Sequence, residues 1–69
     1  MRNNKDKVKM IAKMFPAGTK LIVDEMNDLQ PIPSGSRVTV SHIDAIGQIH
    51  VEEFGIALIY GIDRFHKED

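Results

Sequence analysis

The 69-residue chain contains no cysteine and no tryptophan, and it has three phenylalanines and one tyrosine. The absence of cysteine excludes disulfide bonds, thiolate metal ligands and a cysteine nucleophile, and it is typical of a reducing compartment. The longest uninterrupted apolar run, residues 56–60, is far shorter than a membrane span. The N-terminus is polar and basic, with no apolar signal segment after it. We therefore expect a soluble, cytoplasmic protein without a membrane partner.

Net charge is also small, at −1, but it is unevenly distributed. Residues 1–20 contain six basic residues and one acidic residue, whereas residues 21–69 contain three basic and nine acidic residues. One interpretation is a basic helix lying against an acidic barrel within one molecule. The other is a basic arm that contacts an anionic partner.

The central stretch predicts a β-hairpin. Residues 38–41 and 48–52 alternate apolar and polar side chains, the period of a strand with one buried face. Between them, Asp44 can bond its own backbone and Gly47 can adopt the positive φ of a tight loop. Two strands alone are marginal in water, so other elements must cover the inward side chains. These are Val38, Val40, Ile49 and Val51.

Residues 5–14 predict an N-terminal helix. Its apolar stripe follows the i, i+3, i+4, i+7 spacing and consists of Val8, Ile11, Ala12 and Phe15. Pro16 ends the helix, because the residue before a proline is disfavoured in the α region. Met10 and Met14 lie away from the stripe and form a candidate surface for self-association or docking. The alternative is that two surface methionines have no role.

A strand follows at residues 19–26, with Leu21 and Val23 pointing inward. The next connection, residues 27–36, contains two prolines and is too long for a simple turn. Long ordered loops on small barrels frequently carry binding residues.

The C-terminal third predicts further short elements. Residues 56–60 do not alternate, which favours a strand covered on both faces, with the helix as one cover. Residues 61–65 predict a tight helical turn, and residues 66–69 a short edge strand or a frayed tail. We predict a mainly-β fold, a small SH3-like barrel of four to five short antiparallel strands with an N-terminal α-helix. The predicted division is a disordered N-terminus at 1–4, one domain at 5–66 and a tail at 67–69.

Five segments occur in the order seen in a small bacterial and phage family, domain of unknown function 4314. They are FPAGT, MND, PIPSG, DAIGQIHV and LIYGIDRF, beginning at residues 15, 26, 31, 44 and 58. The chain resembles this family, which implies a compact β-domain without an assigned activity, common in phages, prophages and plasmids of Gram-positive bacteria. Members usually have a tryptophan and an Asn-Gly turn where this chain has residues 52–55, and frequently a proline where it has Tyr60.

Catalytic and metal sites are not predicted. His50 and Glu52 share a strand face from which both can reach one ion, with Ser41 or Thr39 across the hairpin. A solvated cross-strand pair is the alternative, and no zinc spacing is present. The serines lie in no nucleophile elbow, and adjacent strand acids point to opposite faces, so we expect no enzyme and no cofactor. We retain His50 as a candidate binding residue.

An SH3-like fold brings together a rim that consists of Asn27, Asp28, Tyr60, Asp63 and Arg64. An aromatic plane, a planar cation and hydrogen-bonding groups are the composition of a binding surface. The alternative is structural: Asn27 and Asp28 bond their own loop, Asp63 caps a turn and Tyr60 packs in the core.

We therefore predict a non-enzymatic binding protein that acts stoichiometrically, encoded by a phage or mobile element and directed against a bacterial defence factor in the host cytoplasm. In one version it masks a host protein through the helix methionines or the rim. In the other, a homo-oligomer sequesters a small nucleotide signal through Lys20, Arg37 or Arg64. The alternative is a nucleic-acid-associated regulator that uses the basic helix, although the acidic barrel and few aromatics make nucleic acid an unfavoured partner.

Overall fold

The computed structural model describes residues 4–26 and 31–68, in which one helix precedes five antiparallel strands. The elements are α1 (Asn4–Met14), β1 (Lys20–Glu25), β2 (Arg37–Ile43), β3 (Gln48–Val51), β4 (Leu58–Ile59) and β5 (Arg64–Lys67). The sheet order is β4-β3-β2-β1-β5, so the last strand returns to pair with the first. This confirms the predicted fold class, a small SH3-like barrel with an N-terminal helix.

Strand β2 is the centre of the barrel, because it pairs with β1 through its first half and with β3 through its second. A register shift separates the β3 partners of Val40 and His42, and such a bulge bends a strand. The four predicted inward side chains of the hairpin are all buried, which confirms the hairpin and its facing: Val38, Val40, Ile49 and Val51.

Helix α1 packs against β2, and its buried face differs from the prediction. Ile11 and Phe15 are buried as predicted, whereas Ala12 is exposed. Met14 instead packs against the core and is half-buried. The buried face of the helix is therefore shifted from the predicted stripe toward Met14. Methionine is a longer side chain and fills more core space than alanine.

Strand β1 places Leu21 and Val23 in the core, as predicted. The end of the following connection returns to this strand: Gly35 N donates to Val23 O at 2.6 Å, and Val23 N donates to Ser36 O at 2.9 Å. Ile32 is buried, so the later part of the connection adds to the core.

The prediction of a strand covered on both faces at residues 56–60 is wrong. Strand β4 has two residues, Leu58 with no exposed surface and Ile59 at 37% exposure, and it lies at the edge of the sheet. The apolar run at residues 56–60 predicted burial on both faces, but the Ile59 side chain faces outward. Asp63 Oδ2 accepts a hydrogen bond from Ile59 N at 2.8 Å. The backbone N–H of Ile59, at the edge of the sheet, is therefore bonded to a side chain.

The predicted helical turn at residues 61–65 is also wrong in its second half. Ile62 N and Asp63 N both donate to Ile59 O, which forms a turn, and β5 begins directly afterwards at Arg64. Strand β5 includes Lys67, and Glu68 N donates to Lys20 O at 2.9 Å. The predicted short edge strand is therefore present, and it extends into residues assigned above to a tail.

Candidate functional site

An open cleft of about 480 Å³ lies where the end of α1 meets β1, β5 and the β4–β5 turn. This volume is within the range of roughly 300–1,000 Å³ that is typical of ligand sites. We call it the turn cleft. Its lining residues are Phe15, Asp24, Tyr60, Gly61, Asp63, Arg64 and Phe65.

Three aromatic rings form the apolar part of the turn cleft. The Phe15 ring centroid lies 6.1 Å from that of Tyr60 and 5.5 Å from that of Phe65, the latter in an edge-to-face arrangement. These separations are those of favourable aromatic pairs. Phe15 is buried, whereas Tyr60 and Phe65 are half-buried, so part of the aromatic surface faces the cleft.

Two carboxylates of the turn cleft serve the fold. Asp63 is 6% exposed, and its Oδ2 accepts the hydrogen bond from Ile59 N. Asp24 Oδ2 lies 2.7 Å from His66 Nδ1 on the neighbouring strand β5. Both groups therefore have partners before any ligand arrives.

Arg64 and Tyr60 present polar atoms that form no hydrogen bond with the described residues. Arg64 Nη1 lies 3.7 Å from Glu25 Oε1, beyond hydrogen-bond distance, and both side chains are exposed. Within residues 4–26 and 31–68, neither the Arg64 guanidinium nor the Tyr60 hydroxyl has a hydrogen-bond partner. The turn cleft thus combines an aromatic surface with a hydroxyl and a guanidinium available to a ligand.

A second polar cluster lies at the β2–β3 hairpin, and here the polar groups have partners within the fold. Asp44 Oδ1 accepts hydrogen bonds from Ile46 N at 3.1 Å and Gln48 N at 2.8 Å, and Oδ2 lies 2.8 Å from His50 Nε2. The bond with His50, followed by those from the two amides, holds the pKa of Asp44 below its ordinary value against the opposing effect of burial. The His42 and His50 rings stack with their centroids 4.4 Å apart.

A third polar cluster lies at Thr39, where β2 stops pairing with β1 and begins to pair with β3. It supplies a hydrogen-bond acceptor at this change of strand partner. Glu53 accepts hydrogen bonds from Thr39 N at 2.7 Å and from the Thr39 hydroxyl at 2.8 Å. Lys20 Nζ donates to the same hydroxyl oxygen at 2.7 Å. The two bonds from Thr39, with a smaller contribution from the charge of Lys20, lower the pKa of Glu53.

The structure brings three of the predicted site residues together, since Tyr60, Asp63 and Arg64 all line the turn cleft. Asn27 and Asp28 lie outside the described residues. The structural alternative also holds for Asp63, which accepts a bond within its own turn.

The remaining predicted residues lie elsewhere. Arg37 forms an ion pair with Glu68 at 2.6 Å, and His50 belongs to the hairpin cluster. Met10 is 44% exposed on α1, but half-buried Met14 does not extend an exposed methionine face. Their roles in binding stay predictions.

Sequence reasoning missed Phe15, Asp24 and Phe65 as lining residues. The sequence places Phe15 in the core and Phe65 in a helical turn, and no local pattern shows that the segments containing these two residues meet. His42 was also missed as the neighbour of His50, because the register shift in β2 places it there instead of Ser41. No group of three or more histidine or acidic side chains within the described ranges is arranged to hold a metal ion. Within the same ranges, no helix has the length and apolar content to cross a membrane.

The fold and the turn cleft define a small β-barrel domain with an aromatic surface groove. The sequence model of the family described as Domain of unknown function (DUF4314) matches residues 4–68. The chain therefore belongs to this family, as its five segments predicted. No curated protein and no solved structure matches it.

Proposed function

We propose that this protein is a non-enzymatic binding domain whose turn cleft takes an extended segment of a partner protein. The observation that carries the proposal is the concentration of aromatic side chains. Of the three phenylalanines and one tyrosine in the chain, three line this one cleft. Aromatic anchors dominate the binding energy of protein interfaces, particularly where a polar group is available beside them.

The proposal that the protein is not an enzyme is supported by the way its reactive groups are placed. Two hydroxyls in the described residues contact a charged or basic side chain. The Thr39 hydroxyl is buried between Lys20 and Glu53, and Ser41 Oγ lies 3.1 Å from His42 Nδ1. Neither residue lines the turn cleft. In the turn cleft, Asp24 is engaged by His66 and Asp63 by the backbone. None of these arrangements combines an accessible nucleophile with a base that a third group orients, since His42 bonds no carboxylate among the described residues.

Between the two predicted targets, a protein is better supported than a nucleotide signal. Of the cations predicted to bind phosphate, Arg37 is paired with Glu68 and Lys20 with Thr39, and neither lines the cleft. Arg64 alone of the three lines it, with the carboxylates of Asp24 and Asp63 also present there. One cation beside two carboxylates balances the single charge of a carboxylate better than the higher charge of phosphate groups.

Direction against a bacterial defence factor, and carriage by a phage or mobile element, are proposals that depend on the family resemblance. Cytoplasmic location and self-association are likewise proposals. Light scattering of wild type and Met10→Glu tests self-association through the helix, because a charge at this exposed position opposes a dimer contact there.

The cleft proposal is tested by panning a random dodecapeptide display library on immobilised protein. We expect enriched peptides to bind wild type and to lose about 30-fold or more in affinity on Tyr60→Ala, since truncation of an aromatic anchor costs about 2 kcal/mol. Ile46→Ser is the matched control, because Ile46 is an exposed apolar side chain on the hairpin loop, away from the cleft lining. Equal binding by Tyr60→Ala and wild type, with both proteins folded, contradicts the proposal.

A second candidate function, nucleic-acid association, is favoured by one observation on α1. Lys7, Lys9 and Lys13 are exposed and form no ion pair with a described residue. Some acids of the barrel instead pair with its own bases: Glu68 with Arg37, and Asp24 with His66. The predicted helix-to-barrel charge pairing is therefore not seen for these three lysines.

Fluorescence anisotropy of a labelled DNA duplex tests this candidate. Binding by the helix lysines weakens with salt, because contacts to phosphates release counterions. The double variant Lys9→Glu/Lys13→Glu must then lose binding. Absence of binding by wild type at low salt excludes the candidate.

A further inference from the structure

We propose that the segment bound in the turn cleft carries a carboxylate, that Arg64 receives it, and that Glu25 occupies this cation in the unbound protein. The inference rests on the proposed function and adds the chemistry of the ligand. It assigns Arg64 as the residue that selects among peptides and Glu25 as an internal competitor.

Two arginine–glutamate pairs in the same protein differ in geometry. Arg37 Nη2 lies 2.6 Å from Glu68 Oε2, whereas Arg64 Nη1 lies 3.7 Å from Glu25 Oε1. Charge-assisted bonds typically measure about 2.7–2.9 Å, so the first pair is hydrogen-bonded and the second is a charge contact alone. The first pair joins β2 to the C-terminal end of the chain. The second leaves the guanidinium without a hydrogen bond to any described residue.

Exposure supports the same distinction. The Arg64 and Glu25 side chains are 77% and 69% exposed, whereas Glu68 of the other pair is 26% exposed. An exposed pair contributes little to stability, because water screens the attraction and two long side chains lose freedom. A ligand carboxylate can therefore replace Glu25 at little expense to the fold.

The other charges around the cleft favour an anionic group on the ligand. Asp24 is paired with His66, and Asp63 is buried and bonded to Ile59 N. Lys67 Nζ lies 5.4 Å from the centroid of the Phe15 ring, which places a second cation beside the aromatic surface. Among the lining residues, Arg64 is the one charged group without a hydrogen bond to a described residue.

The guanidinium geometry suits a carboxylate in particular. Its planar fork can donate two parallel N–H bonds to the two oxygens of one carboxylate. The strand register makes Arg64 the cross-strand partner of Glu25 at the bulge of the β1–β5 pair. The ligand group therefore exchanges with a carboxylate of the same chemistry, so the charge of Arg64 is compensated in both states.

Three dodecapeptide pools test this inference, with Glu, Gln or Lys fixed at one central position and the other positions random. Retention of each pool on immobilised protein is measured by sequencing. We expect wild type to retain the Glu pool above the Gln pool and the Gln pool above the Lys pool. Arg64→Glu must reverse the order, because the selecting charge changes sign.

Glu25→Gln is expected to increase binding, so a variant that is merely misfolded or inactive cannot give the same result. Removing the competing carboxylate must raise retention of the Glu pool by roughly 2- to 5-fold, the value of an exposed ion pair of about 0.4–1 kcal/mol. Arg37→Gln is the matched control, since it alters the hydrogen-bonded pair outside the cleft lining and must leave the order unchanged. Thermal melting of each variant establishes that it is folded.

The results separate the two proposals. Equal retention of the three pools by wild type, together with loss of all pools on Tyr60→Ala, overturns the role of Arg64 and leaves the cleft proposal standing. An unchanged order in Arg64→Glu likewise overturns the inference. Retention of no pool by wild type overturns both proposals.

Discussion

The hairpin cluster and the turn cleft both place carboxylates beside ring side chains, but they differ in which polar groups bond the described fold. At the hairpin, the Asp44 carboxylate bonds two backbone amides and His50, so its acceptors serve the loop. At the turn cleft, Arg64 and Tyr60 retain donors that the described fold does not engage. Residue type alone therefore does not indicate a binding role. A polar side chain is available to a ligand only where the backbone and its neighbours do not need it.

The largest loss of stability is expected at the hairpin, from Gly47→Ala. Gly47 has φ +91°, and an added Cβ would lie 3.3 Å from Cδ1 of buried Ile11 on α1. The backbone strain costs about 1–2 kcal/mol, and crowding of a packed core adds on the order of 1 kcal/mol. Thermal denaturation measures the sum.

Gly35→Ala is the control for this prediction, because Gly35 has φ +88° and no atom within 4 Å of an added Cβ. It must show the backbone strain without the crowding. Equal melting temperatures of the two variants would mean that the helix does not constrain the hairpin.

A smaller loss of stability is expected from Glu53→Ala, which leaves the amide and hydroxyl of buried Thr39 without the acceptor they now share. Buried donors without partners destabilise a fold. Glu52→Ala is the matched control, since Glu52 is an exposed neighbour whose side chain bonds no described residue. Urea denaturation must show a lower midpoint for Glu53→Ala than for Glu52→Ala, and the reverse order would contradict the role of Glu53.

Local sequence patterns predicted the parts of the fold that depend on neighbouring residues, and they did not predict contacts between distant segments. The hairpin was predicted with its facing and its turn, because alternation and the Asp44 and Gly47 positions are local features. The β4 region was not, because an apolar run does not show that Ile59 lies on an exposed edge. Three of the seven residues that line the turn cleft were predicted as site residues: Tyr60, Asp63 and Arg64. Phe15 could not be, since its place beside Phe65 depends on the return of β5 to β1.

We expect the protein to lose stability at low pH, partly because the carboxylates of Asp44 in the hairpin and of Glu53 become protonated. The pKa of Asp44 lies below its ordinary 3.8 and that of Glu53 below its ordinary 4.5. The unfolded chain therefore binds more protons at these groups, and their contribution is present above those ordinary values and lost as the pH falls toward the lower folded values. Melting temperatures from pH 6 to pH 2 must fall less steeply in Asp44→Asn than in wild type. Parallel curves would contradict the pKa direction at Asp44.

The smallest effect on stability is expected at the turn cleft, from Tyr60→Phe. The ring and its contact with Phe15 remain, and the hydroxyl bonds no described residue, so we expect a change within about 0.5 kcal/mol. Peptides selected on wild type must nevertheless bind this variant more weakly if the hydroxyl contacts them. A large fall in melting temperature would instead assign the hydroxyl to the fold.

Backbone amide chemical shifts of labelled wild-type protein, titrated with a peptide selected from the library, test the central claim most directly. We predict that the largest shifts occur at residues 60–65 and at Phe15, with the hairpin residues 42–50 unchanged. Shifts concentrated at the hairpin, or along α1 without the turn cleft, would contradict the assignment of the cleft as the binding site.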